Sequence, residues 1–321
     1  MPGLQGPSYV VDAKTVAARR AFLNTLWTQH YAPKADRLLA TSKALHAATS
    51  AYCRKPASRV AAQQAWRQVL EAWMRLMTVD GGPMRERFAL RLLDSRYPSP
   101  ELIRRAMQKE GEGEKYVDKV GPASKGLGAM EWMLFVPTTD FESRPLCPYL
   151  RSVSAVWLRE VTELHPLIKA QARRPRDAEA VTLEYEEFIN QWLSGLNKLW
   201  IGGIERPLKL KASHPPFSPS PRSYSDSAAA ERALRWQTLR ELAVLPQPLS
   251  IEQQLRSQGA ASQANAWRAK VLQCDQALKQ GSEPTALTAA AACLSQLGQL
   301  LNTQVAPSLQ VTMGFSDGDG S

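Results

Sequence analysis

At 321 residues, 44% of them hydrophobic, the chain is long enough for two compact units of ~150 residues, each with its own core. Its longest apolar stretches, such as residues 130–136, fall far short of the ~20 needed to span a bilayer, so no transmembrane helix is expected. The net charge of +10 is dispersed in short runs, Lys169, Arg173, Arg174 and Arg176 around Pro175, and Lys209 with Lys211, without the interleaved aromatics that single-strand binders use; these read as solvated basic loops and argue against a nucleic-acid partner.

Apolar residues recur at three- and four-residue spacings, while alternating strand patterns are nearly absent, which predicts an all-α fold. Val16, Phe22, Leu23, Leu26, Trp27 and Tyr31 form one stripe before Pro33, and Leu38, Leu39, Leu45 and Tyr52 continue it until Pro56 stops the helix. Ser58 is placed to cap the next helix, where Ala62, Trp66, Leu70, Trp73, Leu76 and Met77 share a face. Trp66 and Trp73, two turns apart, read as core packing rather than a ligand site. Gly81-Gly82-Pro83 breaks the chain, residues 88–93 look helical, Pro98 and Pro100 mark a turn before a helical 102–107, and 109–119 reads as a surface loop.

A second break at 137–140 divides the chain into an expected N-terminal bundle, 1–140, and a C-terminal bundle, 141–321. Helices are predicted over 146–172, 178–201 and 228–245, separated by the Arg-Pro segment and by a Pro/Ser-rich stretch at 212–227. Trp267, Val271, Cys274 and Leu278, followed by the turn at 281–284 and then Leu287, Ala290, Cys293, Leu294 and Leu297, predict an αα-hairpin.

The four cysteines lack zinc-cluster spacing. Cys274 and Cys293 lie at comparable distances from the hairpin turn, so they can face each other; two buried free thiols are the alternative. Cys53 and Cys147 are the remaining candidate pair. The first residues show no basic region followed by an apolar run, which leaves a cytosolic protein or one whose leader is removed.

Several segments together resemble the imelysin family. Lys125-Gly126-Leu127-Gly128-Ala129-Met130-Glu131-Trp132-Met133-Leu134-Phe135 is similar to its GxHxxE segment with the aromatic and Leu-Phe ending that follow. Ala51-Tyr52-Cys53 before the Trp66 and Trp73 helix, Arg206-Pro207-Leu208, and Leu309-Gln310-Val311-Thr312-Met313-Gly314-Phe315 with Asp317-Gly318-Asp319 resemble other family segments in the same order. The resemblance implies two bundles of up-down helices with a site near their interface, a periplasmic or lipid-anchored location, and an association with iron uptake; the family also carries a peptidase label.

In the family motif the histidine and glutamate share one helical face and can share a metal or a proton. Here the histidine position is Gly128, which leaves Glu131 as the only motif donor, where a catalytic zinc needs three protein ligands. None of His30, His46, His165 and His214 stands in an HxxE or HExxH arrangement, and His165 reads as a surface or capping residue. Gly126 and Gly128 make only a fragment of a phosphate loop and are better explained as a close approach of helices. Glu131 is then either a buried carboxylate paired with Arg91 or Arg96, or the anchor of a ligand cleft formed by Gly126, Gly128, Glu131, Trp132 and Arg91. The expected function is a non-catalytic periplasmic binding or accessory protein linked to iron uptake. Iron or another divalent metal is its candidate cofactor, iron-uptake components or other periplasmic proteins its candidate partners, and a lipid anchor outside this sequence its only candidate membrane attachment. The rivals are a metallopeptidase with rebuilt ligands and a helical scaffold for a protein partner.

Overall fold

The opening helix shows how the chain accommodates Pro33. Ala13–Thr25 starts at Asp12, whose carboxylate accepts the Thr15 backbone N–H at 2.7 Å. Leu26–Tyr31 then widens into a π turn before Ala32–Arg54 resumes the α-helix. Proline has no N–H to donate and its ring crowds the carbonyl one turn back. The wider turn moves that carbonyl aside, so Pro33 enters in the first turn of the resumed helix and the helical path continues to Arg54.

The computed structural model describes residues 11–87, 93–95, 97–109, 113–136, 146–213, 221–244 and 249–314, the side chains of 210–213 excepted. Among them there is no strand; the fold is all-α. One group of helices is built on Ala32–Arg54, which packs against Arg59–Met77 and Leu146–Gln171, with Gly126–Phe135 crossing both of these. A second group is built on Ala178–Trp200, which packs against Ala13–Thr25, Ala228–Val244 and Pro284–Leu300; Ala261–Leu278 pairs with Pro284–Leu300 as the predicted hairpin. Ala228–Val244 also touches Arg59–Met77 and so ties the groups together. Leu146–Gln171 follows the 137–140 break yet packs in the first group, while Ala13–Thr25 packs in the second.

Each group is centred on an edge-to-face tryptophan pair, Trp73 with Trp157 and Trp192 with Trp267, both 5.1 Å between ring centres. Indole carries a donor that must be satisfied when buried. Trp157 donates to Ser42 Oγ at 2.9 Å, Trp192 to the Leu239 carbonyl at 3.0 Å and Trp267 to that of Ala243 at 3.0 Å. Trp66 and Trp73 are fully buried, as the core reading expects.

Two disulfides, Cys53–Cys147 and Cys274–Cys293, fasten the groups internally. The first joins the end of Ala32–Arg54 to the start of Leu146–Gln171, and the second bridges the hairpin. The buried guanidinium of Arg19 joins sequence-distant parts: its Nη2 donates to the carbonyls of Leu309 at 2.8 Å and Gln310 at 2.9 Å, and it lies over the Tyr185 ring.

Four local expectations are corrected. Residues 109–119 hold a short helix, Glu114–Lys119, with Val117 buried, and a helix at Ile251–Ser257 was not foreseen; both are too short to display a period. Ser58 stands before Arg59–Met77, but its hydroxyl makes no capping bond because Pro56–Ser58 already turns as 3₁₀ helix. Arg176 is not solvated: its side chain is 1% exposed and bonds Glu184 at 2.7 Å. The predicted segment at 88–93 lies outside the described residues except at Leu93.

Candidate functional site

The motif helix, Gly126–Phe135, is apolar all round but for Glu131, and residues 126–134 are buried. Its last carbonyls are closed from the neighbouring helix. Arg59 donates through Nε to Leu134 O at 2.8 Å and through Nη2 to Val136 O at 2.6 Å, and Gln63 adds a 2.8 Å bond to Leu134 O.

The glycines at its start are explained by the chain that crosses them. A Cβ on Gly126, whose φ is +69°, would stand 2.3 Å from the Leu93 carbonyl oxygen, and one on Gly128 would stand 2.1 Å from that of Ser95. The close approach expected between helices is thus made by the backbone of 93–95 against the motif helix. That crossing carries Asp94 into the core, where its Oδ2 accepts the Trp73 indole N–H at 3.1 Å.

The other half of the site comes from the turn at 221–227. Arg222 and Asp226 both hold positive φ, 57° and 54°, a conformation non-glycine residues adopt at a cost. The turn presents Ser225, whose backbone N–H and Oγ–H both bond Glu131 Oε1, at 3.0 and 2.7 Å. It also sends the Arg222 guanidinium inward with no solvent exposure. There Nη2 donates to Asp94, Nε donates to Glu231 Oε2 at 2.9 Å, and Nη1 faces Glu131 Oε2 at 3.7 Å. Arg235, one turn along Ala228–Val244, donates to the other oxygen of Glu231 at 3.1 Å.

Asp94, Glu131 and Glu231 therefore surround Arg222, with Arg235 behind. Burial raises the Glu131 pKa above the usual carboxylate range, against the opposing pull of Arg222 and the Ser225 hydrogen bonds. Burial works against the Arg222 charge too, but Asp94, Glu231 and Glu131 outweigh it and hold the guanidinium charged.

This donor set does not fit a metal ion. The guanidinium occupies the point on which the carboxylates converge, and Gly128 has no room for an imidazole beside Ser95. No group of three or more His, Cys, Asp or Glu able to hold a metal occurs among the described residues. The histidines lie with other partners: His30 beside Lys34 at 2.8 Å, His46 with Ser154 at 3.0 Å, and His165 on the surface with Asp36 at 2.7 Å. His214 lies outside the described residues.

Of the residues singled out in the sequence, Gly126, Gly128, Glu131 and Trp132 share the one buried helix, Trp132 beneath the Arg104 guanidinium at 5.3 Å. Arg91 and Arg96 lie outside the described residues; among the described residues the arginine facing Glu131 is Arg222. Asp94, Arg222, Ser225, Glu231 and Arg235 were missed. The one local signal for them is the i,i+4 pair Glu231 and Arg235 on Ala228–Val244.

An all-α fold of this arrangement, with the Glu131 helix packed against both Arg59–Met77 and Leu146–Gln171, is that of an imelysin-like protein. A family model described as Imelysin matches residues 29–301, and the chain belongs to the imelysin family. An imelysin-like protein from Psychrobacter arcticum 273-4 superposes with a TM-score of 0.78 at 16% identity, over 97% of this chain and 100% of that one. A Parabacteroides distasonis ATCC 8503 protein, provisionally named an iron-regulated protein A precursor, gives 0.73 at 15% identity, over 96% and 97% of the two chains. At these identities the likeness is one of fold. A search of the curated proteins found no significant match.

Proposed function

We propose that this protein is a non-catalytic member of the imelysin family, a periplasmic binding or accessory component of an iron-related system that works with other exported proteins. The observation that carries the non-catalytic reading is the buried guanidinium of Arg222 among Asp94, Glu131 and Glu231: Ser225 bonds one oxygen of Glu131, and the other, which makes no hydrogen bond, faces Arg222 Nη1 at 3.7 Å. A metal ion at that oxygen would stand against the guanidinium charge, and a catalytic zinc needs further protein ligands that the described residues do not gather there. The iron-related reading draws support from the family and from the name of the Parabacteroides neighbour. The two disulfides favour an oxidising compartment. No helix among the described residues is long and apolar enough to cross a membrane.

The test is elemental analysis of protein purified without chelator, with titrations of ferrous, ferric, zinc and copper ions and a peptidase assay beside them. The reading expects no stoichiometric metal at Glu131 and no peptidase activity. Tight binding abolished by Glu131→Ala, together with peptide cleavage, would instead establish a metallopeptidase with rebuilt ligands.

A further inference from the structure

A cleft of about 240 Å³, separate from the Glu131 cluster, opens where the opening helix, the chain at 80–82 and Ala178–Trp200 meet. Its apolar wall is made by Trp27 and Tyr31 of the π turn, rings 4.6 Å apart, with Phe188 opposite. Gly82 holds φ +49° and leaves 3.4 Å between a Cβ position and the Trp27 ring, so the backbone closes directly on the indole. Irregular π turns recur at functional sites, and an apolar pocket with a few convergent polar groups is the general form of a small-molecule site.

The polar lining is lopsided. Asp80, Glu86, Glu184 and Glu187 stand against a single base, Arg174. Three of the carboxylates have cationic partners, Asp80 in Lys198 and Glu187 in Arg85, each at 3.1 Å, and Glu184 in Arg176 and Arg174. Glu184 gives Oε2 to Arg176 at 2.7 Å, but its Oε1 is buried without a hydrogen bond, Arg174 Nη1 being 3.6 Å away. Glu86 has no ion-pair partner among the described residues. Glu86 thus remains without a cation, and Glu184 Oε1 without a hydrogen bond, at the edge of an aromatic wall: too few oxygens for a metal ion but suited to a cationic head whose apolar body lies on the rings.

We propose that this cleft binds a small organic cation, a primary ammonium or guanidinium group carried on an aliphatic or aromatic body. The proposal goes beyond the reading above and stands independently of it, since it involves no residue of the Glu131 cluster.

Isothermal titration of the full chain with phenethylamine and agmatine, and with the uncharged phenethyl alcohol, tests it. Saturable binding of the amines but not the alcohol is expected. Glu86→Gln, at an exposed position, should weaken it about tenfold, the effect of losing one charged contact. Leu183 lines the cleft and is 58% exposed, so Leu183→Arg should fold normally, cover the carboxylates with its own guanidinium and abolish binding. The absence of saturable amine binding, equal binding of the alcohol, or binding unchanged in both variants would overturn the proposal.

Discussion

Gly128 lies against the Ser95 carbonyl so closely that a Cβ there would come within 2.1 Å of the oxygen. The position that carries histidine in the family motif is filled here by the backbone of another segment. Gly128→His is therefore expected not to restore a metal site. It should destabilise the fold by about 3 kcal/mol or more through overpacking, read as a lowered urea midpoint, with zinc giving no recovery.

Arg222 is the common partner of Asp94, Glu131 and Glu231. Arg222→Met preserves bulk but leaves buried carboxylates without their cation, and a loss of about 3–5 kcal/mol is expected at pH 7. The deficit should shrink as the pH falls, because Glu131, whose carboxyl is pushed up by burial, takes up a proton more readily than in the unfolded chain and no longer needs the cation. Glu131→Gln keeps the shape and one acceptor, and should cost less, about 1–2 kcal/mol. Urea titrations of both variants at pH 5 and pH 7 distinguish this ordering from a generic core defect, which would not vary with pH.

His30 is buried, and burial, with Lys34 beside it, holds its pKa well below the usual histidine value. The unfolded chain binds that proton near pH 6.5 and the native chain does not, so His30 contributes stability above pH 6.5 that is lost as the pH falls. The wild-type protein should lose up to about 1.4 kcal/mol per pH unit below that point from this residue. His30→Gln should flatten the slope between pH 6.5 and pH 5; an unchanged slope would show that other groups dominate.

The disulfides enclose loops of unequal length, 94 residues for Cys53–Cys147 and 19 for Cys274–Cys293. On the chain-entropy model the longer should contribute about 4–5 kcal/mol and the shorter about 3. Paired Cys→Ser variants, melted with and without reductant, should rank in that order, and reductant should have the larger effect on the variant that keeps Cys53–Cys147.

The helices were legible because their apolar stripes have a period, as the fully buried Trp66 and Trp73 show. The hairpin and the Cys274–Cys293 pair were legible because two antiparallel helices place residues equidistant from a turn opposite each other, whereas Cys53–Cys147 was reached only as the remaining pair. Glu131 could be picked out as a lone charge in an apolar helix, but its partners could not. Asp94 arrives on a crossing segment and Arg222 from a turn within a Pro/Ser-rich stretch, each fixed by tertiary packing rather than by local period. The π turn at Pro33 was hidden for a similar reason: an i→i+5 turn leaves no mark in a stripe that simply continues.

The bonds from Arg19 to the carbonyls of Leu309 and Gln310 set an order of events. Ala13–Thr25 lies on Ala178–Trp200 and is gripped by residues nearly three hundred positions downstream, so a nascent chain cannot seat its leading helix while it is being synthesised. That contact waits for the distal segment to emerge, so the seating of the first described helix belongs among the last steps by which the fold is completed.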